Sequence, residues 1–513
     1  MVIFLAPRTL IRFAVLVAVF NLSATQTLYG AEGSKDYVDW PIAEGTSDRT
    51  PALQPRADQS SIQFQSSTGF DVGFMGSDAG KSQGYKCTSP FDKKCKEERV
   101  ARFTSQVGQR WNSLNQLPIC LSARDSTPCI RRIHISEAGG EKYSLSDAGT
   151  IPGYAWPANQ TYGSPAGALT HIWRGEGDTE NSGYVLNAKI SVRGSYNSDK
   201  TEILDFTTSL FRYELTPLSE PYVKANQRTF CLWVDNSGDE PRCARQKFLD
   251  QTSLVTVIYH LPKSLTGWFA GRMSDATLNV ESIDTDFNAV TVSSYPAEVP
   301  VFAATIPCVK GWVPCGTGVT LGFTGIPIQE YIQSLQSILN DKATLEIPSW
   351  GLRSTNKLAY EGCKVPEKGF AGLIFSNATF VYSYPPKFED DMLRYEMGAL
   401  HLESDGSVFK GNFDMFIESG FARCLWKLSK APVQASIDVI SKDGIQSIAT
   451  TSLGEKNGFI RMRAAGFTFS TSTVQMKLQN KESGTIKCLR KSNNRTITVT
   501  GDKCPKGTIK VRR

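Results

Sequence analysis

Gly267-Trp268-Phe269-Ala270-Gly271-Arg272-Met273-Ser274-Asp275-Ala276-Thr277-Leu278-Asn279-Val280 is the stretch whose reading decides the fold, because a second stretch repeats its plan. The repeat is Gly369-Phe370-Ala371-Gly372-Leu373-Ile374-Phe375-Ser376-Asn377-Ala378-Thr379-Phe380-Val381. In both, an aromatic between glycines gives way, with one residue of slippage, to Ser, Asp or Asn, Ala, Thr and an apolar residue. Glycine inside such a run marks close backbone approach, so each copy reads as a close-packed turn feeding a strand. Neither copy holds a catalytic constellation.

The residues around the two copies have a β texture. Between Cys87 and Pro307, short apolar runs such as Tyr184 to Val192, Leu254 to Tyr259, Thr277 to Val280 and Ala289 to Val292 are broken by Gly, Pro, Asn and Asp. Cys231-Leu232-Trp233-Val234 reads as a core strand, with the acidic loop from Asp235 to Glu240 closed by Cys243. From Ala343 to Leu478 the period-two alternation is cleaner. Phe413, Met415 and Ile417, then Val433, Ala435, Ile437 and Val439, then Val474, Met476 and Leu478 each take alternate places, the pattern of antiparallel strands with one face buried. Cys231-Leu232-Trp233 precedes the first glycine motif whereas Cys424-Leu425-Trp426 follows the second, so the order is not that of a tandem repeat, and duplication and coincidence both stay open.

At 513 residues the chain is too long for one core. The expectation is a mainly β protein with two antiparallel β-sandwich-like domains joined by a short helical connector. The divisions are 1–31, a signal peptide; 32–85, a flexible leader poor in apolar residues; 86–306, a first β domain; 307–344, a connector; 345–482, a second β domain; and 483–513, a basic tail. Within the connector, Cys308 and Cys315 enclose a short loop. Pro327 then opens a helix whose Ile328, Tyr331, Ile332, Leu335, Ile338 and Leu339 share one face, as for packing on a sheet. Clean alternation from 345 to 480 predicts that this fragment folds by itself.

Export is read from the start of the chain. Arg8 and Arg12 precede the apolar run Phe13 to Phe20, and small residues follow at Ala24, Gly30 and Ala31. That run is short for a membrane span, which takes about 20 residues. No later run approaches a span and the final residues are charged, so the expected product carries no transmembrane helix after signal removal. Twelve cysteines, an even count, favour disulfides in an oxidising compartment. Their spacing suggests Cys87 with Cys95, Cys120 with Cys129, Cys231 with Cys243, Cys308 with Cys315 and Cys488 with Cys504, leaving Cys363 to Cys424. Zinc is the rival, but no C-x-x-C occurs and His134, His171, His260 and His401 are far apart in the chain.

Charge is concentrated in the tail. Residues 481–513 hold ten Lys and Arg against Glu482 and Asp502, a local charge of +8; the whole chain is +6, which leaves −2 for the remainder. Asn493-Asn494 is a turn signal and Thr496 to Thr500 a β-type run, so a bridged hairpin is expected. Its candidate anion-binding residues are Lys487, Arg490, Lys491, Arg495, Lys503, Lys506, Lys510, Arg512 and Arg513.

Lys487-Cys488, followed by Lys503-Cys504-Pro505-Lys506-Gly507 and a basic finish, resembles the terminal motif of secreted β-rich proteins of Gram-positive actinobacteria. The glycine-aromatic motif and the Cys-Leu-Trp strands, Cys231-Leu232-Trp233 and Cys424-Leu425-Trp426, resemble those proteins over most of residues 86 to 513. Thr508 stands where the motif more often has an aromatic. The resemblance implies export and assigns no activity.

No H-E-x-x-H, G-x-S-x-G, P-loop or dinucleotide glycine pattern is present. Glu389-Asp390-Asp391 offers carboxylates to a glycosidase, which needs two facing across a cleft. Asp284-Thr285-Asp286-Phe287-Asn288 alternates like a calcium loop but has Ala289 and Tyr295 where an EF-hand needs Gly and Glu, so a solvated turn is the better reading. The expected protein is an exported, non-catalytic envelope or surface protein without a cofactor. Its partner is an anionic wall polymer; nucleic acid is set aside because of export. The alternative is a secreted carbohydrate-active hydrolase.

Overall fold

The computed structural model describes residues 110–511 apart from 138–141, 152–156, 196–197, 219–230, 236, 302–339, 344, 356–361, 365, 367–368, 382–384, 430–432, 442–443, 447–449, 469–471, 481–484, 491–494, 501–503 and 507. The expected signal peptide and leader, the pairs Cys87/Cys95 and Cys308/Cys315, and the helix after Pro327 lie outside the described residues. Among the described residues the protein is mainly β, with one α-helix, Ser419–Leu425.

The strands stack in three layers. The middle layer is a 13-stranded sheet whose main path runs Thr450–Lys456, Phe459–Thr468, Lys410–Glu418, Gly372–Ser376, Trp268–Arg272, Gly351–Thr355, Ser198–Pro217, Ser182–Ser195, His171–Arg174 and Ser146–Thr150. One outer layer is a five-stranded sheet in the order Ser274–Ser282, Phe287–Tyr295, Leu254–Pro262, Cys129–Ser136 and Lys142–Ser144. Its Ile133, Val257, Leu278 and Val292 share a core with Leu186, Ile190, Phe269, Leu373, Phe375 and Phe416 of the central sheet. The other outer layer is a six-stranded sheet built around Met392–Gly398, Ser472–Asn480 and Val433–Ser441. Leu393, Tyr395, Val474 and Met476 there pack with Trp268, Ile374, Phe413, Met415 and Ile417. Successive side chains of a strand leave opposite faces, and Phe416 and Ile417 belong to different cores. The two outer sheets therefore cover opposite faces of the central one.

The glycine motifs lie at the middle of this arrangement. Trp268–Arg272 and Gly372–Ser376 are neighbouring parallel strands, with Trp268 opposite Gly372 and Phe269 opposite Leu373. A Cβ on Gly271 would run into the carbonyl oxygen of Gly351 and sit 2.9 Å from the Leu352 Cα, and one on Gly372 would run into the Phe416 carbonyl and the Trp268 ring. These glycines therefore lie in the strands and set their spacing. The turn is the Ser-Asp/Asn-Ala-Thr segment. After Arg272 the chain leaves the central sheet for Ser274–Ser282 of the five-stranded sheet; after Ser376 it leaves for Phe380–Val381 of the six-stranded sheet. Asp275 makes the first exit with a left-handed φ of 50° and an ion pair to Arg463. Asn377 makes the second by exchanging hydrogen bonds with Asn412, at 3.0 and 2.8 Å.

Two further sequence readings differ from this structure. Separate sandwiches on either side of 307–344 do not describe the strand pairing: Gly351–Thr355 is hydrogen-bonded to both Trp268–Arg272 and Ser198–Pro217, and Ala297–Val301 pairs with Leu345–Ser349. Alternation shows which face a side chain takes but not which strand lies alongside. Leu373-Ile374-Phe375, apolar at every place and buried throughout, carries the three-layer signal, because a strand covered on both faces does not alternate. Cys424-Leu425-Trp426, read as a counterpart of the Cys231 strand, is instead the end of the helix. Glu418 caps it by accepting from the Phe421 N–H at 2.6 Å, and Phe421, Ala422 and Leu425 bury one side.

The disulfides Cys120–Cys129, Cys363–Cys424 and Cys488–Cys504 are formed. Cys243 is disulfide-bonded as well, on a strand that pairs with the one beginning at Cys231. Cys363–Cys424 spans 61 residues and fastens the helix to the segment before the second glycine motif. Constraint of the unfolded chain by a loop of that length is nominally worth about 4 kcal/mol. The double variant Cys363→Ser/Cys424→Ser is thus expected to lose up to about 4 kcal/mol in denaturant unfolding. An unchanged midpoint would show that the bridge adds nothing to the native fold.

Candidate functional site

The tail forms a sheet of its own. Thr485–Arg490 is its central strand, with Thr496–Thr500 antiparallel on one side and Thr508–Lys510 antiparallel on the other. The third strand was not expected from the sequence. It is set by a turn in which the Thr508 N–H and hydroxyl both donate to the Pro505 carbonyl, at 3.0 and 2.6 Å. Cys488, fully buried, bridges to Cys504 and holds that turn against the central strand.

Lys487, Arg490, Arg495 and Lys506 are exposed on this sheet. Lys487 and Arg490 lie three apart on one strand and so leave opposite faces. Among the described residues no carboxylate forms an ion pair with Lys487, Arg490 or Lys506. The Lys510 backbone pairs with Cys488, while Lys491, Lys503, Arg512 and Arg513 lie outside the described residues. Charge on both faces gives a positive field around the sheet and suits a flexible polyanion better than a ligand held in a shaped pocket.

The carboxylates weighed for hydrolysis have other partners. Asp390 and Asp391, at φ 54° and 57°, are the two central residues of a tight hairpin turn between Lys387–Glu389 and Met392–Gly398. Arg394 binds Glu389 at 3.1 Å and Asp390 at 3.2 Å. A depression beside this hairpin is lined by Pro385, Lys387, Glu389, Arg394, Glu396 and Thr473. It mixes both signs of charge, and Arg394 occupies one of its two acids.

Buried titratable groups often mark functional sites. Burial pushes the Asp414 carboxyl above its ordinary range, against the pull of Arg461, and does the same to Asp205 against Arg353. Both are arginine-paired within the central sheet, Asp414 accepting from Arg461 Nε at 2.8 Å and Asp205 lying 3.7 Å from Arg353. Burial also pulls Lys189 down to about 8, but at 2 % exposure no substrate reaches it. In the calcium-like loop, Asp284 Oδ1 accepts the N–H groups of Asp286 and Phe287, both at 2.7 Å, while Oδ2 accepts from the Ser126 hydroxyl. This acid closes its own turn. Asp235 likewise accepts from Ser237 N–H at 3.0 Å and from Arg242 at 2.5 Å.

The chain matches no protein-family model and no curated protein sequence. Sequence reasoning missed the grouping of Arg394 with Lys387 and Glu396, which only the hairpin brings together. It also missed His260, whose place opposite Cys129 depends on strand pairing that no local pattern reveals.

Proposed function

We propose that the protein is an exported, non-catalytic component of the cell envelope whose tail sheet holds it to an anionic wall polymer. The observation that carries this reading is the tail sheet, fastened by Cys488–Cys504, whose exposed Lys487, Arg490 and Lys506 have no carboxylate ion-pair partner among the described residues. The remainder of the chain sums to −2, so the attraction belongs to the tail. Three further points support the reading. The disulfides are compatible with folding in an oxidising compartment. No helix among the described residues is long and apolar enough to cross a membrane. The Lys-Cys and Lys-Cys-Pro-Lys-Gly residues resemble the terminal motif of secreted actinobacterial proteins.

Attraction between exposed charges is screened beyond about 10 Å at 0.1 M salt. Retention of the protein on isolated Gram-positive walls is therefore expected to fall steeply as salt rises. A chain lacking residues 481–513 is expected in the soluble fraction at low salt with its thermal transition unchanged. Retention indifferent to both salt and the deletion would move the binding surface to the three-layer body.

A further inference from the structure

His260 stands directly opposite Cys129 on the neighbouring strand of the five-stranded sheet, and both are fully buried. Cys129 is bridged to Cys120, and a ring nitrogen of His260 and the two sulfurs all lie within 4.8 Å of one another. His260 Nδ1 is 2.7 Å from the Asp125 carbonyl oxygen, which can only accept, so Nδ1 is the donor of this hydrogen bond. Nε2, although buried, has no hydrogen-bond partner among the described residues. An imidazole oriented through one nitrogen by a backbone carbonyl, with the other nitrogen free, is the arrangement found behind metal-bound histidines.

We propose that Cys120, Cys129 and His260 form a redox-gated site for a thiophilic divalent cation, with zinc as the type. The site is closed while the disulfide stands and opens when a dithiol reduces it. In the opening step the Cys120–Cys129 bond takes two electrons and two protons from the dithiol, which itself becomes a disulfide. On binding the cation the two thiols release those two protons and supply two thiolates, and His260 supplies a neutral nitrogen. Three protein ligands at about 2.3 Å for sulfur and about 2.0 Å for nitrogen leave one tetrahedral position to water.

The surroundings permit the sulfurs to separate. Both backbones are held, Cys129 in its strand and Cys120 by its N–H to the Ile130 carbonyl at 2.9 Å, so the sulfurs part by side-chain rotation, on the side of the loop 121–128 whose Leu121 is 96 % exposed. Cys120 itself is half-buried, so a small reductant reaches the bridge from the loop side. This inference does not rest on the reading of the tail.

The test uses the full chain under limited phosphine reduction, with alkylation and mass mapping to confirm that Cys120 and Cys129 are thiols while Cys363–Cys424 and Cys488–Cys504 remain bridged. Cobalt(II) is then titrated as a visible stand-in for zinc. The expected result is one equivalent bound with thiolate-to-cobalt charge-transfer and tetrahedral d–d absorption. That signal should be absent from the oxidised protein and from Cys120→Ser/Cys129→Ser, and at least about tenfold weaker in affinity in His260→Gln. Cys120→His supplies a ligand and cannot form the bridge, so it should bind cobalt without reductant even if reduction of the parent chain disturbs the fold. The proposal is overturned by the absence of a thiolate–cobalt band in both the reduced chain and Cys120→His. It is equally overturned by a band of undiminished affinity in His260→Gln.

Discussion

Gly271→Val is expected to destabilise the folded state severely. The added carbons would enter the space held by the Gly351 carbonyl and the Leu352 backbone, neither of which can swing aside as a side chain can. The strand cannot retreat either, because Trp268–Arg272 is hydrogen-bonded to Gly351–Thr355 on one side and to Gly372–Ser376 on the other. Overpacking in a well-filled core costs about 1–3 kcal/mol and more where backbone must move. Whole domains are stable by about 5–15 kcal/mol. Here the clash falls between central strands with a core on each face, so a loss of about 3 kcal/mol or more is expected, with little soluble protein. Gly454→Ala is the control, since a Cβ there meets nothing within 4 Å; its denaturant midpoint should stay within about 0.5 kcal/mol of the parent's. A Gly271→Val protein that unfolds at the parent midpoint would mean that the two glycine motifs are not packed as described.

Residues 345–480 expressed alone are expected to be molten, contrary to what their alternation suggests. The fragment retains most of the core beneath the six-stranded sheet, including Phe413, Met415, Ile460, Val474 and Met476. It would expose the other face of its central strands, where Trp350, Leu352, Phe370, Leu373, Phe375, Phe416 and Phe459 pack in the core shared with the five-stranded sheet. Burying each such side chain is worth about 1.5–3 kcal/mol, so uncovering these residues forfeits about 10 kcal/mol or more, as much as a typical domain's whole stability. Dye binding to exposed apolar surface, strong far-ultraviolet and weak near-ultraviolet dichroism, and a thermal scan without a cooperative transition would show it. A sharp transition in the fragment would mean that the two cores fold independently despite their common sheet.

What could be read from the sequence follows from how local each feature is. Strand identity is local: Val474, Met476 and Leu478 fall on the buried face that their period predicts, and Phe413, Met415 and Ile417 share one core, although Asp414 and Phe416 between them are buried too, so the wet face expected of that strand is covered. Short-range bridges such as Cys120–Cys129 and Cys488–Cys504 are local too. Strand neighbourhood is not, which is why the sequence reads as two domains where the structure has one sheet running through both. The helix at Ser419–Leu425 was hidden because Cys424-Leu425-Trp426 has the same residue types as a true strand; its signal was the Glu418 cap three residues before Phe421. Glu389-Asp390-Asp391 looked like chemistry because carboxylates adjoin, whereas two of the three supply the left-handed turn of a hairpin. The cationic residues of the tail were legible as a charge excess, but the third strand that completes their sheet was not, since Thr508-Ile509-Lys510 is too short to show a period.

The claim that the tail sheet is the attachment surface is tested most directly by removing charge without removing the sheet. In Lys487→Gln/Arg490→Gln/Lys506→Gln the bridge Cys488–Cys504 and the three-stranded pairing have no reason to change. A cation beside a fixed anionic surface contributes about 1 kcal/mol, so losing these should weaken binding to isolated walls by about 3 kcal/mol, roughly a hundredfold. The measurement is the wall-binding isotherm of this variant and of the parent at low salt, with non-reducing mass mapping to confirm the bridge. A roughly hundredfold weaker isotherm with a shallower dependence on salt is expected. Superimposable isotherms, with the bridge intact, would contradict it.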